Sequence, residues 1–286
     1  MDRIAIIYGE TFLYWSSIIL TFAVAAAVCT FLFLYLREKY NGLSAALLVP
    51  AAMAASLFLS RAMHWYCMAN AYDSLKGALT TFTGGGYALM GVFAGCFLTA
   101  VLLRLTKVSK NLPEMLDCMA ISGCAGIAVG RLASLFNASD RGQVLANFKS
   151  LPIAYSVTNA VSGAVEYRLA TFMFQSLVAL LLFAGLALFY LRGNKNGKLK
   201  DGDTCLIFLM IYGASQVVLD STRYDSLFFR SNGFVSVVQV LGALGLGLAI
   251  VVFSVRMVKN RGFKFWQIIL WILITAGIGC GGFMEY

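Results

Sequence analysis

The sequence predicts an all-α fold, a polytopic membrane helix bundle of about eight transmembrane helices with a small extracytoplasmic cap. Three observations predict it. Apolar runs of membrane-spanning length recur from Phe12 to the C-terminus, and about 20 apolar residues suffice to cross the hydrocarbon layer as a helix. Only 12% of the 286 residues are charged, against roughly 25% in soluble domains, and the mean hydropathy is +0.81. Strand-type alternation of apolar and polar residues is absent, which argues against an outer-membrane barrel.

Met1–Glu10 is short and of mixed polarity. No cleavable signal peptide is expected, because the first apolar run is long and lacks a small-residue cleavage site. The spans read as 12–36, 45–67, 86–106, 114–136, 169–191, 204–220, 234–256 and 264–284. The whole chain, 1–286, is expected to be a single integral membrane domain. The connections after spans one, three, five and seven hold Arg37 and Lys39, then Arg104, Lys107 and Lys110, then Arg192, Lys195, Lys198 and Lys200, then Arg256, Lys259, Arg261 and Lys264. Thirteen of the 22 Lys and Arg thus sit in four short loops. By the positive-inside rule these loops face the cytoplasm, which puts both termini outside. The net charge of +9 is explained by this orientation, and no nucleic-acid partner is expected.

Four basic residues break that pattern. Arg61, Arg131, Arg168 and Arg223 fall near the outer ends of spans two, four, five and six. An arginine near lipid costs roughly 3 kcal/mol at a helix centre, so it normally has a partner or a task. One reading is that each snorkels outward or pairs with a local carboxylate such as Asp220 or Glu166. The other is a shared anion site near the outer leaflet, since guanidinium forks suit phosphate oxygens.

The segment 137–168 contains Pro152 and several Ser, Asn and Asp residues. It is too polar to cross the bilayer and long enough to form an extracytoplasmic insertion between spans four and five. Arg192–Asp203 reads as a cytoplasmic hairpin with solvated charges. Gly91/Gly95, Gly126/Gly130 and Gly277/Gly281 have the spacing that lets helix backbones approach, and Pro50 reads as a tolerated proline within span two.

The chemistry-bearing residues are few. There is no phosphate-binding loop, no G-x-S-x-G and no H-E-x-x-H. The seven cysteines form no C-x-x-C pair and mostly lie in apolar runs, so neither a metal site nor a disulfide framework is expected. The single histidine, His64, rules out a multi-histidine metal site. It stands in R-A-M-H-W-Y-C beside interfacial aromatics, and it is the only side chain here whose ordinary pKa lies near neutrality.

From about Trp15 to Val252 the chain resembles the prolipoprotein diacylglyceryl transferase family, bacterial enzymes that lipidate lipoprotein precursors. Arg61 in S-R-A-M-H-W-Y matches an arginine followed by aromatics in the family's second span. G-G-G-Y-A-L-M-G-V-F-A-G at 84–95 resembles its glycine pair, hydrophobic step, histidine and further glycines. Asp117 stands fourteen residues before Arg131, as an aspartate precedes the arginine of G-R-x-G-N-F-x-N. That signature reads G-R-L-A-S-L-F-N here, retaining Gly130, Arg131 and Asn137, with Phe136 one place beyond the family's phenylalanine. Arg168 matches the arginine opening the fifth span. I-Y-G-A-S-Q-V-V-L-D-S-T-R resembles Y-G-x-x-R-x-x-x-E-x-x-R, and Gln239 matches a glutamine in the last family span.

The departures are equally specific. Met90 stands where the family has a histidine, Gln216 replaces the arginine after the Tyr-Gly pair, and Ser134 replaces the first asparagine of the signature. Ser139 falls at its glutamate, and Trp15 sits near an expected tyrosine. The family's H-P-S-Q-L-Y-E appears as L-A-T-F-M-F-Q after Arg168, and the span 264–284 is additional to the family's seven.

The resemblance implies transfer of the diacylglyceryl group from phosphatidylglycerol to the thiol of a lipobox cysteine, with release of glycerol phosphate. It implies a multi-pass protein of the bacterial cytoplasmic membrane, N-terminus outside. The expected partners are phosphatidylglycerol or another anionic phospholipid, a lipoprotein precursor and the bilayer; no cofactor is expected. On this reading Arg131 and Arg223 hold the phosphate, Asp220 orients Arg223, and Tyr212 hydrogen-bonds the head group. Arg61 and Arg168 act as outer supports, Gly85 and Gly86 let the backbone bend, and Asn137 and Gln239 belong to the substrate-binding set. No base for the thiol is assigned, although His64 is an imidazole within reach from span two. The alternative is a catalytically impaired paralogue that binds anionic phospholipid or a lipoprotein segment. A small-molecule transporter is a third reading, disfavoured because the charges cluster at one end rather than at midplane.

Overall fold

The computed structural model describes residues 4–8, 11–80, 86–109, 111–137, 142–147, 149–158, 163–195, 200–229 and 232–261. The chain opens with a hairpin of β1 (Ile4–Tyr8) and β2 (Thr11–Tyr14). Then come α1 (Trp15–Arg37), α2 (Gly42–Cys67), the short α3 (Leu75–Thr80), α4 (Leu89–Leu105) and α5 (Leu112–Gly130). A 3₁₀ turn, Arg131–Ala133, joins α5 to α6 (Ser134–Asn137). A second hairpin pairs β3 (Ala154–Thr158) with β4 (Val165–Leu169). After α7 (Thr171–Lys195) and α8 (Asp203–Ser221), a third hairpin of β5 (Phe228–Phe229) and β6 (Asn232–Ser236) leads into α9 (Val237–Arg261).

Seven of the eight spans read from the sequence coincide with helices, and the span 264–284 lies outside the described residues. Among the described residues six helices are long and apolar enough to cross a bilayer, and α4 is a shorter apolar helix of 17 residues. The protein is therefore a multi-pass membrane helix bundle. The three hairpins were not anticipated. Each is only two strands wide, too short for an alternation of hydropathy to stand out.

α5 is the most enclosed of the six long apolar helices described. Its small residues explain why. A Cβ on Gly126 would stand 3.0 Å from Ala27 Cβ of α1, and one on Gly130 would stand 3.4 Å from Ala23 Cβ. The helix also carries Met115, Cys118, Ile121 and Cys124 into a core shared with Leu48, Leu182, Phe208 and Tyr212. The outward faces keep Leu and Phe exposed, among them Phe22, Phe33, Leu181 and Leu244, which suits a lipid environment.

α2 and α4 approach more closely still. A Cβ at Gly91 would lie 2.5 Å from the Leu59 carbonyl oxygen, and one at Gly95 would lie 2.5 Å from the Ser56 nitrogen. These obstacles are backbone and cannot swing aside. Gly91→Ala is expected to destabilise the protein by about 1–3 kcal/mol through overpacking. Gly123→Ala has nothing within 4 Å of the new methyl and should be neutral or stabilising by up to ~1 kcal/mol. Equal thermal stability of the two variants would contradict this packing.

Cross-links between elements sort the bundle into two ends. At one end, Asp117 Oδ2 accepts from the Gly202 N–H at 2.8 Å and Oδ1 from the Cys205 N–H at 2.6 Å. α5 thereby caps α8, whose first N–H groups have no partner in their own helix. The basic loops, with Lys39, Lys107 and Lys200, lie at this end. At the other end are the three hairpins, Trp15 against Phe136, and all four arginines singled out from the sequence.

Candidate functional site

The polar centre of the hairpin end is built on the last turn of α8. Asp220 is 1% exposed. Its Oδ1 accepts from Arg223 Nη1 at 3.0 Å, and its Oδ2 accepts from the Ser236 hydroxyl. Asp220 and Arg223 are three residues apart and so share a helix face. Arg223 also reaches the Asp225 carboxylate, with Nη2 3.3 Å from Oδ1. A guanidinium held by two carboxylates has a fixed orientation, and its side chain remains about 10% exposed.

Ser236 belongs to a reciprocal cap. Its hydroxyl accepts from the Gln239 N–H at 3.0 Å, while Gln239 Oε1 accepts from the Ser236 N–H at 3.1 Å. This is a capping box, S-V-V-Q, at the start of α9. Gln239 Nε2 donates to the Val217 carbonyl at 3.4 Å. The glutamine matched to the family's last span therefore fastens α9 to α8, and through Ser236 it fixes Asp220. The Ser-x-x-Gln spacing ahead of an apolar run was a readable signal for this.

Arg168 lies on β4. Its Nη2 donates to Glu166 at 2.7 Å, and its guanidinium covers the Tyr224 ring at 5.2 Å. Gly142 bridges it to Arg223: the Gly142 carbonyl accepts from Arg168 Nη1 at 3.4 Å, and Gly142 pairs with Arg223 as an isolated β-bridge. The Thr171 and Thr222 hydroxyls meet at 3.1 Å and close the same corner. So Arg168 and Arg223 are brought together by the loop between them.

Arg61 occupies a tighter shell and is 1% exposed. Its Nε donates to the Ala78 carbonyl at 2.9 Å, and its Nη1 donates to the Gly86 carbonyl and to Tyr72 Oη, each at 3.1 Å. The Tyr72 and Tyr87 rings lie 5.1 and 5.2 Å from its Cζ. Arg61 is thus a strut tying α2 to α3 and to the entry of α4. Gly86 has φ +82, and a Cβ there would run into Tyr72 Oη; only glycine fits. Gly85 lies outside the described residues. Tyr72 and Tyr87 were not identified from the sequence, since only the folded α2–α4 connection brings them to Arg61.

Arg131 opens the 3₁₀ turn after α5, half-buried, with α1 and α7 packed on that turn. The Ser176 hydroxyl donates to the Ala128 carbonyl at 2.5 Å, tying α7 to α5 one turn before Arg131. Asn137 ends α6 and is exposed. Asp117, fourteen residues before Arg131, lies about 21 Å away along the helix, at the opposite end of the bundle. Tyr212 is 3% exposed, stacked on Phe208 and edge-on to Phe93. It sits eleven residues before Arg223, about 16 Å deeper along α8.

Two departures from the family motifs face each other. Gln216 and Gln175 are both fully buried, with Gln175 Nε2 3.4 Å from Gln216 Oε1. In the quoted motifs these positions hold an arginine and a glutamate; here they form a buried amide pair. Among the described residues no group of three or more His, Cys, Asp or Glu is arranged to hold a metal.

The family model described as prolipoprotein diacylglyceryl transferase matches residues 3–255. The phosphatidylglycerol–prolipoprotein diacylglyceryl transferases of Streptococcus pneumoniae strain Hungary19A-6 and of serotype 19F strain G54 are each 30% identical to this chain over 190 residues. Each alignment covers 65% of this chain and 68% of the relative. With the ordered motifs and the match across nearly every described helix, the chain belongs to the prolipoprotein diacylglyceryl transferase family.

Proposed function

We propose that this protein transfers the diacylglyceryl group of phosphatidylglycerol to the thiol of a lipobox cysteine in a lipoprotein precursor. The reaction takes place at the outer face of the bacterial plasma membrane, with the N-terminus and the three hairpins outside and the basic loops in the cytoplasm. The observation that carries the reading, given the family, is the carboxylate-held Arg223 beside Arg168 at the hairpin end of the bundle.

The acceptor sulfur attacks the glycerol carbon that bears the lipid phosphate. A C–S bond forms, the C–O bond breaks, and glycerol phosphate leaves with the electron pair. Charge grows on the leaving phosphate, and guanidinium groups whose orientation is set in advance stabilise it without reorganising. Arg223, oriented by Asp220, and Arg131, at the end of α5, are the phosphate ligands. Arg168 supports them across Gly142. Arg61 and Gly86 shape the entry to α4, and Asn137, exposed at the end of α6, contributes to substrate binding. Gln239 acts through the Ser236 cap, whereas Tyr212, packed in the core about 16 Å deeper along α8, lies too far from Arg223 to bond the same head group.

Purified protein incubated with phosphatidylglycerol vesicles and a lipobox peptide should yield a thioether-linked diacylglyceryl peptide, read as a mass gain on the cysteine. The losses at Met90 and Gln216 favour one other reading, an impaired paralogue that binds anionic phospholipid. Retained phosphatidylglycerol with no thioether at high protein concentration would establish that reading and reject transfer.

A further inference from the structure

Thioether formation needs a destination for the thiol proton, because the thiolate is the nucleophile. At the hairpin end Asp73 is exposed, and the buried and half-buried carboxylates among the described residues are committed: Asp220 and Asp225 to Arg223, and Glu166 to Arg168. Protonating any of them would break a charge pair. The chain's single imidazole, His64, lies on the last turn of α2 at the same end and is half-buried rather than sealed. Its Nδ1 is 2.8 Å from Tyr72 Oη, with the two rings edge-on at 5.7 Å. Tyr72 Oη also accepts a hydrogen bond from Arg61 Nη1, since an arginine can only donate. Gly86 lies beside the imidazole: a Cβ there would stand 3.1 Å from His64 Cε1. One nitrogen of the ring is therefore tethered through a tyrosine to a buried arginine, the arrangement of a positioned base with its orienting group.

We infer that His64 is the group that takes the proton from the acceptor thiol, oriented by Tyr72 and, through it, by Arg61. The inference rests on the transfer reaction proposed above. With Nδ1–H donated to the Tyr72 oxygen, Nε2 holds the lone pair and receives the proton. The sulfur gains the negative charge, forms the C–S bond, and glycerol phosphate departs with the C–O electron pair. The imidazolium then returns its proton to a phosphate oxygen of the departing group. Tyr72 and Arg61 are positioning residues in this scheme.

The test compares the unsubstituted chain with H64N, H64A and Y72F in phosphatidylglycerol vesicles with a lipobox peptide. Thioether yield and retained phosphatidylglycerol are read in the same samples. H64N keeps a polar atom facing Tyr72 but cannot take a proton. It is expected to lose about 100-fold or more in rate, within the range for a lost general base, while retaining lipid within twofold. H64A should recover part of its rate when imidazole is added, and Y72F should fall by roughly tenfold as the ring loses its orientation. H64N activity within threefold of the unsubstituted chain overturns the inference. Loss of lipid retention in step with activity also overturns it, because His64 would then be structural. No thioether from the unsubstituted chain, with lipid retained, rejects the transfer reaction itself, whereas a loss confined to the His64 variants leaves that reaction standing.

Discussion

Arg223→Ala is expected to lower diacylglyceryl transfer by roughly 100- to 1,000-fold, the usual cost of removing one fixed donor to developing charge. It should also destabilise the protein, because Asp220 is 1% exposed and would lose its guanidinium. An uncompensated buried charge costs about 3–5 kcal/mol. The two effects can be separated. In D220N/R223A the buried charge is gone, and an asparagine oxygen still accepts from Ser236. That double variant should regain most of the thermal stability while transfer stays lost. Arg223→Lys keeps a charge but not the two-pronged fork that spans Asp220 and Asp225, so its activity should fall between those of the unsubstituted chain and Arg223→Ala. Recovery of transfer along with stability in D220N/R223A would show that Arg223 only holds the fold.

The second large effect lies one turn deeper, at the amide pair Gln175–Gln216. Among the described residues, Gln175 Oε1 and Gln216 Nε2 meet no further partner, so the pair is neutral and only partly satisfied. Gln216→Arg would place a cation opposite an amide in the membrane interior, and Gln175→Glu would place a carboxylate there. Each alone is expected to cost several kcal/mol, on the order of 3–5 as for a broken buried ion pair. Together, in Q175E/Q216R, the carboxylate and the guanidinium face each other as a charge pair, and the double variant should lie well above the sum of the singles. A coupling on the order of 2–3 kcal/mol is expected from the four-way cycle, measured by thermal unfolding in one detergent. Additive losses would mean the two positions do not act as a unit.

This pair illustrates what could be read in the chain and what could not. Gln216 stood out as a departure because it interrupts a motif within one helix. Its partner lies 41 residues away on α7, and nothing local to either residue announces that they meet. The same holds for Tyr72, which a turn after α2 carries back onto Arg61 and His64, and for Gly142, which lies between Arg168 and Arg223 only because a loop folds over the end of the bundle. Gln239 differs. Its capping partner is three residues away, so the box was visible in the sequence, although its link to Asp220 required α8 and α9 to be packed.

The sequence by itself determined the number and position of the spans that the structure describes, because the bilayer imposes a length on every apolar run. It determined as well that four arginines lie near the ends of spans on one side, since alternating spans return to the same face. It also carried the family, through motifs whose order survives within single helices. Tertiary structure alone decided the partners of those arginines. Arg61 is a strut held by backbone carbonyls, whereas Arg223 is a fork set by Asp220 and Asp225. The physical reason is that a guanidinium near lipid must be paired, and its partners come from whichever element packs against it, at a sequence distance that hydropathy does not encode.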